Sequence, residues 1–201
     1  MGGMYKRKDS YYLQAKKEGF RSRAAYKIAE IARKESLARP GDCVIDAGAA
    51  PGGWSQVLLP LVGGKGKIAA VDILPMEPLP GGNFRFFQED LSLPSLPGRI
   101  LEFFGREADI VVSDAAPNTS GIPFTDQARS ADLVRTVLAL ARRTLAEDGT
   151  FLAKIFEGAE ADSVFKELQA EFQKVRRIRP AATRKESFEL YLLAKGFRKT
   201  S

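Results

Sequence analysis

Short apolar runs alternate with longer segments of helical periodicity along most of the chain. Runs rich in valine, isoleucine and phenylalanine predict strands, because β-branched and aromatic side chains fit a buried, pleated surface. The predicted strands cover residues 43–46, 67–72, 84–88, 108–114, 150–155, 174–179 and 188–194, and the predicted helices cover residues 22–34, 54–61, 126–145 and 161–172. Proline-rich residues 91–98 are predicted to form a loop, followed at 100–104 by the end of a helix or a single turn.

The order of these elements indicates a single α/β domain over residues 1–201. Strands that alternate with helices are typical of a doubly wound, mainly parallel sheet with helices on both faces. No helix separates residues 174–179 from residues 188–194, and such a direct connection implies an antiparallel pair. A seven-stranded, mainly parallel sheet with one antiparallel strand favours the Rossmann-like fold of methyltransferases that use S-adenosylmethionine (SAM) over that of dehydrogenases.

The first predicted helix is amphipathic. Its apolar residues recur at helical spacing and form one stripe, and Lys27 is predicted to lie on a different side of the helix. The stripe consists of Ala25, Ile28, Ala29, Ile31 and Ala32.

The net charge of +6 is concentrated at the N-terminus. Residues 1–27 contain eight basic and two acidic residues, whereas residues 28–201 contain 23 of each sign. Four of the five tyrosines also lie in residues 1–27. Because cations interleaved with aromatic rings suit a phosphate backbone with stackable bases, this arm is predicted to bind nucleic acid. The alternative is a solvated arm that only increases solubility.

The composition excludes several kinds of chemistry. The chain has no histidine, which removes the commonest general base and the commonest metal ligand. Cys43 is the only cysteine, so no internal disulfide and no cysteine zinc site can form, and no metal is expected. No apolar run reaches the ~18–20 residues of a membrane span, and no signal segment is apparent. We therefore expect a cytoplasmic protein with no membrane partner.

Polar residues lie at or near the ends of four predicted strands. They are Asp46, Asp72, Asp114 and Lys154. In open α/β sheets, ligands bind at the carboxyl ends of the strands near the switch in strand order. These four residues therefore predict a ligand site at one edge of the sheet.

The segment DAGAAPGGW at residues 46–54 directly follows the first strand. It is not the GxGxxG loop of dinucleotide-binding proteins. Pro51 removes one backbone N–H that a pyrophosphate would need, and Asp46 adds negative charge nearby. Both features are compatible with a ligand whose reacting end is cationic, such as SAM with its sulfonium and ammonium groups.

Further acidic residues along the chain are candidates to bind the ribose and adenine of SAM, and one of them begins a segment that indicates the methyl acceptor. Asp72 ends the second strand 20 residues after Gly52, the usual place for a carboxylate that accepts from both ribose hydroxyls. Asp90 follows the third strand and is either an acceptor for the adenine amino group or an ordinary turn acid. Asp114 begins DAAPNTSG, which lacks the aromatic residue that amine methylases often carry here. A hydroxyl oxygen is therefore favoured over a nitrogen as the methyl acceptor.

Four segments of the chain carry motifs that occur together, in this order, in one known family. They are RSRAAYK (21–27), DAGAAPGGWSQ (46–56), VVSDAAPNTSG (111–121), and LAKIF (152–156) with FELY (188–191). With these motifs, spread over about 170 of the 201 residues, the chain resembles the ribosomal RNA large-subunit methyltransferase E family of the FtsJ type.

The resemblance implies transfer of a methyl group from SAM to the ribose 2′-hydroxyl of a uridine in 23S rRNA of the large ribosomal subunit. S-adenosylhomocysteine would be the product, and a monomer is expected. The family's catalytic tetrad falls on Lys27, Asp114, Lys154 and Glu189. Its SAM contacts fall on Gly52, Trp54, Asp72, Asp90 and Asp114, and Gly48 of the same loop is predicted to bind the cofactor as well.

The predicted topology can bring the four tetrad residues together. Lys154 lies near the carboxyl end of a parallel strand, and the start of the antiparallel last strand places Glu189 at the same edge. Lys27 projects from the first helix, which can cover that edge. With no histidine in the chain, Lys154 is the best candidate for the base that accepts the hydroxyl proton. Lys27 would favour loss of the Lys154 proton and the carboxylates would oppose it.

Other functions are open from the residues alone. The chain could methylate the ribose of tRNA or of another RNA with the same tetrad. It could also be a non-enzymatic RNA-binding assembly protein that retains a relic SAM fold. A nicotinamide-dependent oxidoreductase is disfavoured by the missing GxGxxG loop and by the closing hairpin.

If residues 1–27 clamp phosphates, RNA binding should weaken steeply as salt is raised, because each neutralised phosphate releases counterions. A titration of RNA affinity against salt concentration measures this slope. Replacing Lys6, Arg7 and Lys8 with glutamine should lower the slope by roughly one unit for each phosphate that the arm no longer neutralises. An unchanged slope would contradict a phosphate-binding role for the arm.

Overall fold

The computed structural model describes residues 17–183 and 187–199. The strands are β1 (Cys43–Ala47), β2 (Lys67–Asp72), β3 (Phe84–Gln88), β4 (Ala108–Ser113), β5 (Leu145–Phe156), β6 (Phe172–Ile178) and β7 (Glu189–Phe197). The helices are α1 (Ala24–Glu35), α2 (Gly53–Val62), α3 (Leu96–Phe104), α4 (Pro123–Thr144) and α5 (Ala159–Glu171). Residues 1–16, which hold most of the predicted basic arm, lie outside the described residues.

The strands form one seven-stranded sheet in the order β3-β2-β1-β4-β5-β7-β6. The neighbours from β3 to β5 run parallel, and β7 runs antiparallel to both β5 and β6. The predicted architecture is therefore confirmed. The strand order reverses between β1 and β4, so the loops that follow these two strands leave in opposite directions and open a crevice between them.

Helices cover both faces of the sheet. Val44 of β1 packs in one hydrophobic cluster with Ile28 of α1 and Leu58 of α2. Its neighbour Ile45 packs in the other cluster with Leu138 of α4, because successive strand side chains point to opposite faces. Both faces of β1 are buried, which explains why its sequence is apolar rather than alternating. Among the described residues, no helix has the length and apolar character that crossing a membrane requires.

Every helix start differs from the sequence prediction, by one or two residues in α1, α2 and α5 and by more in α3 and α4. The loop predicted for residues 91–98 is wrong at its end, because α3 begins at Leu96. Helix α4 begins at Pro123 rather than at residue 126. Both helices carry a proline in the first turn, where its missing N–H leaves no bond unmade and its fixed φ suits the helix. Pro97 and Pro123 therefore lie in the first turns of helices, whereas Pro94 stays in the loop.

The strand ends also shift. Strand β5 starts at Leu145, which pairs with Ala108 before an irregularity resets the register. The last strand extends to Phe197, three residues beyond the predicted end.

The predicted position of Lys27 on α1 is wrong. Lys27 is only 4% exposed and lies one turn before Ile31, which is also buried. The buried arc of α1 is shifted relative to the predicted stripe, since it includes Lys27 and leaves Ala29 only partly buried. The reason is that α1 packs against α2 and also contacts β7 through Lys27. Lys27 Nζ lies 5.7 Å from the centre of the Tyr191 ring of β7. A lysine can be buried on this arc because an acidic partner lies at its end, as described below.

Candidate active site

The carboxyl ends of β1, β2, β4 and β5 share one edge of the sheet with the start of β7. In the β5–β7 ladder, Phe156 pairs with Glu189 and Lys154 pairs with Tyr191. Ser113 at the end of β4 pairs with Ala153 of β5. This register places the end of β4 and the end of β5 beside the start of β7, so side chains that are distant in sequence meet at this edge.

Hydrogen bonds from backbone N–H groups of the glycine loop to the end of β2 hold the loop in place. The N–H of Gly48 donates to Val71 O at 2.8 Å, and the N–H of Ala50 donates to Asp72 Oδ2 at 2.8 Å. Gly48 has φ +74°, and a Cβ at this position would lie 2.5 Å from the Cβ of Ala115. The loops after β1 and β4 therefore touch at a position where only glycine fits.

This bonding decides what kind of ligand the loop can take. The loop N–H groups that are already paired with protein acceptors belong to Gly48, Ala49, Ala50 and Gly52. Pro51 has no N–H at all. A pyrophosphate needs several free N–H groups at a helix N-terminus, and residues 48–52, which lead into α2, offer none.

Two cavities adjoin the loop, with volumes of about 720 and 260 Å³. Gly48, Ala50 and Asp114 line both of them, so the cavities adjoin at these residues. Their volumes suit a small-molecule ligand of nucleoside size or larger. The predicted cofactor-binding residues in the walls are Gly48, Trp54, Asp72, Asp90 and Asp114.

The acids of the larger cavity are oriented by the backbone. Asp72 Oδ1 accepts from the N–H of Leu74 at 2.8 Å, and Oδ2 holds the glycine loop as described. Asp90 Oδ1 accepts from the hydroxyl and the N–H of Ser92 at 2.6 and 2.8 Å, and these bonds lower the pKa of Asp90. Oδ2 of Asp90 has no partner within the described residues. Asp90 is thus both a turn acid and an ionised acceptor facing the cavity.

Gly52 does not line either cavity. A Cβ at Gly52 would lie 2.8 Å from Met76 Sδ and 2.9 Å from a guanidinium nitrogen of Arg21. The Arg21 guanidinium donates to the carbonyls of Pro51 and Pro78, each at 3.3 Å. The absence of a side chain at Gly52 therefore makes room for Arg21 to hold the loop from outside.

Asp46 is a buried carboxylate that is only half satisfied. Its Oδ2 accepts from the Ser55 hydroxyl at 2.7 Å, whereas its Oδ1 is buried without a hydrogen-bond partner in the described part of the chain. Burial raises the pKa of Asp46 to about 7; the Ser55 bond opposes this shift, and the charges of Asp114 and Asp72 add to it. Asp46 lines the smaller cavity, so a cationic ligand group there would find an acceptor that the protein leaves unused.

Four charged side chains from four elements meet beside these cavities. Lys27 Nζ donates to Glu189 Oε2 at 2.8 Å. Lys154 Nζ lies 3.9 Å from Glu189 Oε1 and 3.2 Å from Asp114 Oδ1, and it donates to the Asp114 carbonyl at 2.6 Å. We call this set the charge chain. It contains every residue of the predicted tetrad and no other residue.

Burial strengthens the electrostatic interactions within the charge chain. Lys154 is 7% exposed, comparable with the burial of Lys27. Burial alone would raise the pKa of Glu189, but the hydrogen bond and charge of Lys27, with the charge of Lys154, hold that pKa below its usual value. Each lysine therefore has an ionised carboxylate within reach, as buried charges require.

Sequence reasoning assigned no role to Tyr191. Its hydroxyl donates to Asp114 Oδ1 at 2.7 Å, and its ring lies 5.8 Å from the ring of Trp54. Burial and the Asp114 charge raise the pKa of Tyr191, so it stays a hydrogen-bond donor. One signal was present, since residues two apart in a strand share a face and Tyr191 follows Glu189 by two positions. Arg21, noted only as part of a motif, had no such signal.

No group of three or more histidine, cysteine, aspartate or glutamate side chains is arranged to hold a metal ion in residues 17–183 and 187–199. The two adjoining cavities are instead lined by five carboxylates, and Lys154 lies beside one of them, Asp114. Such donors bind hydroxyls and a cation, and the lysines can position or deprotonate an acceptor hydroxyl. This set fits the amine, sulfonium and ribose groups of SAM.

Comparisons with known proteins agree with this geometry. Residues 20–197 match the model of the FtsJ-like methyltransferase family. The chain is 45% identical over 193 residues to the ribosomal RNA large subunit methyltransferase E of Methanothermobacter thermautotrophicus, with 96% of this chain and 92% of that protein covered. It is 49% identical to the protein of the same name from Rhodopseudomonas palustris, with 94% of this chain and 81% of that protein covered.

Solved structures give the same architecture. A structure from Plasmodium falciparum described as a ribosomal RNA methyltransferase aligns with a TM-score of 0.81 at 28% identity, covering 90% of this chain and all of that chain. A SAM-dependent O-methyltransferase from Thermotoga maritima aligns with a TM-score of 0.55 at 15% identity, covering 87% of this chain and 66% of that chain. At 15% identity, the similarity to the Thermotoga maritima structure shows only that the two chains share a fold.

The buried carboxyl of Asp46 should make stability depend on pH. Its pKa is about 7 in the folded protein against 3.8 for the ordinary group, so the folded state binds the proton more tightly. The free energy of unfolding should therefore fall as pH rises from about 4 to about 7, because deprotonation costs more in the folded state. Asp46→Asn cannot ionise, so relative to wild type it should gain on the order of 2 kcal/mol between pH 5 and pH 8.

Urea unfolding at pH 5 and pH 8 measures this difference. Asp132→Asn, an exposed position on α4, is the matched control and should differ from wild type equally at both pH values. A difference between Asp46→Asn and wild type that is the same at both pH values would contradict the buried, proton-binding state of Asp46.

Proposed function

The chain belongs to the FtsJ-like methyltransferase family, and we propose that it transfers a methyl group from SAM to the ribose 2′-hydroxyl of a uridine in 23S rRNA. The expected substrate is the large ribosomal subunit, and the expected product is S-adenosylhomocysteine. The observation that carries the proposal is the charge chain, in which Lys27, Glu189, Lys154 and Asp114 meet beside the cavities of the glycine loop.

The relatives support an rRNA substrate. The two curated relatives named above share 45–49% identity with the chain over nearly its full length and are named as large-subunit rRNA methyltransferases. The chain also matches most of their length, so the likeness is not confined to a shared cofactor domain. The assignment of a uridine in 23S rRNA as the acceptor rests on the resemblance of the sequence motifs to those of the family.

SAM, when bound, supplies a methyl carbon that is already electrophilic because a positively charged sulfur is its leaving group. We assign its hydroxyl groups and its base to Asp72 and Asp90, which line the larger cavity. We assign its ammonium end to the smaller cavity, where Asp46 has an unused oxygen. Asp114 lines both cavities and lies at the junction between them.

The protein's main task is then to position the acceptor oxygen and to take its proton. Alignment of two reacting groups can contribute up to roughly 7–11 kcal/mol to lowering a barrier, and a positioned base roughly 10²–10⁴-fold in rate. We propose Lys154 as that base, because it contacts Asp114 at the cavity junction and Glu189 on the other side. Glu189 and Lys27 hold the ribose, and Tyr191 fixes the Asp114 carboxylate.

Lys154 Nζ lies 3.2 Å from Asp114 Oδ1 and 3.9 Å from Glu189 Oε1. A lysine acts as a base only in its neutral form, so Lys154 must first release a proton to solvent before it accepts the proton of the hydroxyl.

The acceptor is tested by incubating unmethylated large ribosomal subunits, free 23S rRNA and tRNA with labelled SAM and then mapping the labelled nucleotide by mass spectrometry. We expect label on one uridine of the large subunit. We also expect none when the mapped residue is replaced by 2′-deoxyuridine. Label on tRNA would support the tRNA-directed alternative, and absence of transfer to any RNA would support a non-enzymatic assembly protein.

Lys154→Met should lower the rate of methyl transfer by roughly 10²–10⁴-fold, because it removes the base and keeps the apolar stem. SAM affinity, measured by calorimetry, should stay near the wild-type value, which also shows that the variant folds. Glu189→Ala should lose less activity, since Glu189 positions the ribose but does not take the proton. Lys65→Met, in the exposed turn after α2, is the control. Substantial residual activity in Lys154→Met would overturn its assignment as the base.

A further inference from the structure

A third cavity, of about 350 Å³, has Glu189 of the charge chain in its wall. It shares no lining residue with the two cavities of the glycine loop. Its wall is built from the loop before α4, the first turn of α4, the end of β5 and the start of β7. It is lined by Thr119, Gly121, Pro123, Asp126, Gln127, Phe156, Ser187, Phe188 and Glu189.

We propose that this cavity binds the nucleobase of the nucleotide whose ribose is methylated. Phe188 stacks on the base, and the Gln127 carboxamide hydrogen-bonds to its edge. The inference rests on the proposed function and adds to it the groups that hold the acceptor nucleotide in place.

The position of the cavity follows from the chemistry of a nucleotide. The ribose carbon that bears the 2′-hydroxyl is bonded directly to the carbon that bears the base. If the hydroxyl lies beside Lys154, the base must lie within a few ångströms of it. Glu189 is 3.9 Å from Lys154 and also lines the third cavity, so this cavity begins at the required distance.

Phe188 is an exposed aromatic side chain at the rim of the cavity. It is 71% exposed, although it directly precedes β7 and its carbonyl accepts from the N–H of Glu157 at 2.8 Å. Its backbone is therefore fixed while its ring faces solvent. Proteins that hold single-stranded nucleic acid use such rings as stacking surfaces for bases.

Gln127 is a positioned amide without a partner. Its side chain makes no hydrogen bond within the described residues, and a Cβ on Gly158 would lie 2.4 Å from its Oε1. The amide thus packs on the backbone of Gly158. The adjacent Asp126 anchors the loop before α4, because its carboxylate accepts from the N–H groups of Ser120 and Gly121 at 2.7 and 3.1 Å.

The chemistry of the wall favours a base over a phosphate. Asp126 and Glu189 are acidic, and no basic residue lines the cavity among the residues described. A carboxamide offers a donor and an acceptor side by side, which matches the N3–H and O4 of uracil. The aromatic and proline side chains suit the flat faces of the ring. A neutral, planar ligand with a polar edge is the occupant that these groups recognise.

The test compares two exposed phenylalanines. Phe188→Ala removes the ring at the cavity, whereas Phe124→Ala removes a ring that is 74% exposed nearby but does not line the cavity. With unmethylated large subunits and labelled SAM, Phe188→Ala should lower kcat/KM by roughly 5- to 150-fold, the usual range when one base stack is removed. Phe188→Tyr should restore most of the activity, and Phe124→Ala should match wild type. SAM affinity should be unchanged in all three.

A substrate without the base separates stacking from a general effect on RNA binding. Large-subunit rRNA carrying an abasic acceptor nucleotide can be prepared by ligation and reconstituted into subunits. Wild type should then fall to the activity of Phe188→Ala, and Phe188→Ala and Gln127→Ala should cause no further loss. Two results would overturn the proposal. The first is wild-type activity of Phe188→Ala on normal subunits, and the second is that Phe188→Ala lowers activity by the same factor on abasic subunits as on normal ones. Failure of wild type to methylate any RNA would instead overturn the proposed function.

Discussion

The charge chain is the interaction on which the other features of the site depend. Its two lysines are buried and its two carboxylates are partly buried, and burial of a charge is unfavourable unless its partner is in place. Because Glu189 contacts both lysines, and Lys154 also contacts Asp114, the four groups form one unit rather than two separate pairs. The unit joins α1 to β7, β5 and the loop after β4. The ion pair between Lys27 and Glu189 therefore adds to the apolar packing of α1 on the sheet and also assembles the groups proposed to handle the acceptor hydroxyl.

The antiparallel β7 makes this unit possible. In an all-parallel sheet, the residue that begins a strand lies at the edge opposite to the ends of its neighbours. Reversal of β7 brings its first residue, Glu189, beside Phe156 at the end of β5. The same reversal places Phe188 and the third cavity at that edge. One change of strand direction thus supplies both the carboxylate of the charge chain and the aromatic ring proposed to stack on the acceptor base.

The glycine loop shows how backbone bonding selects a ligand class. Three of its N–H groups fix the loop to the end of β2 and a fourth bonds within the loop, so residues 48–52 leave no free N–H group for an anionic phosphate. The side chains left around the loop are acids, and one of them, Asp46, is buried with an unpaired oxygen. A half-satisfied buried carboxylate destabilises the fold, and such local costs are typical of functional sites. A cationic cofactor that reaches Asp46 would relieve part of that cost on binding.

The sequence by itself determined the class of the fold and most of the strands. Strand β2 at Lys67–Asp72 and strand β3 at Phe84–Gln88 were predicted with their observed ends, because apolar runs and their flanking polar residues are local features. The ordered motifs also named the four residues that the structure brings together. Their catalytic roles stay part of the proposal.

Only the tertiary structure decided where these residues lie relative to one another. Periodicity placed Lys27 away from the buried side of α1, whereas its ion pair with Glu189, 162 positions later, allows it to be buried. Nothing in the sequence indicates a role for the amide of Gln127 or the ring of Phe188. Their proposed role follows only from the cavity that both residues line. The physical reason is that periodicity reports which residues share one helix or strand. Burial, pairing and pocket formation depend on groups from different elements, and folding alone brings those groups into contact.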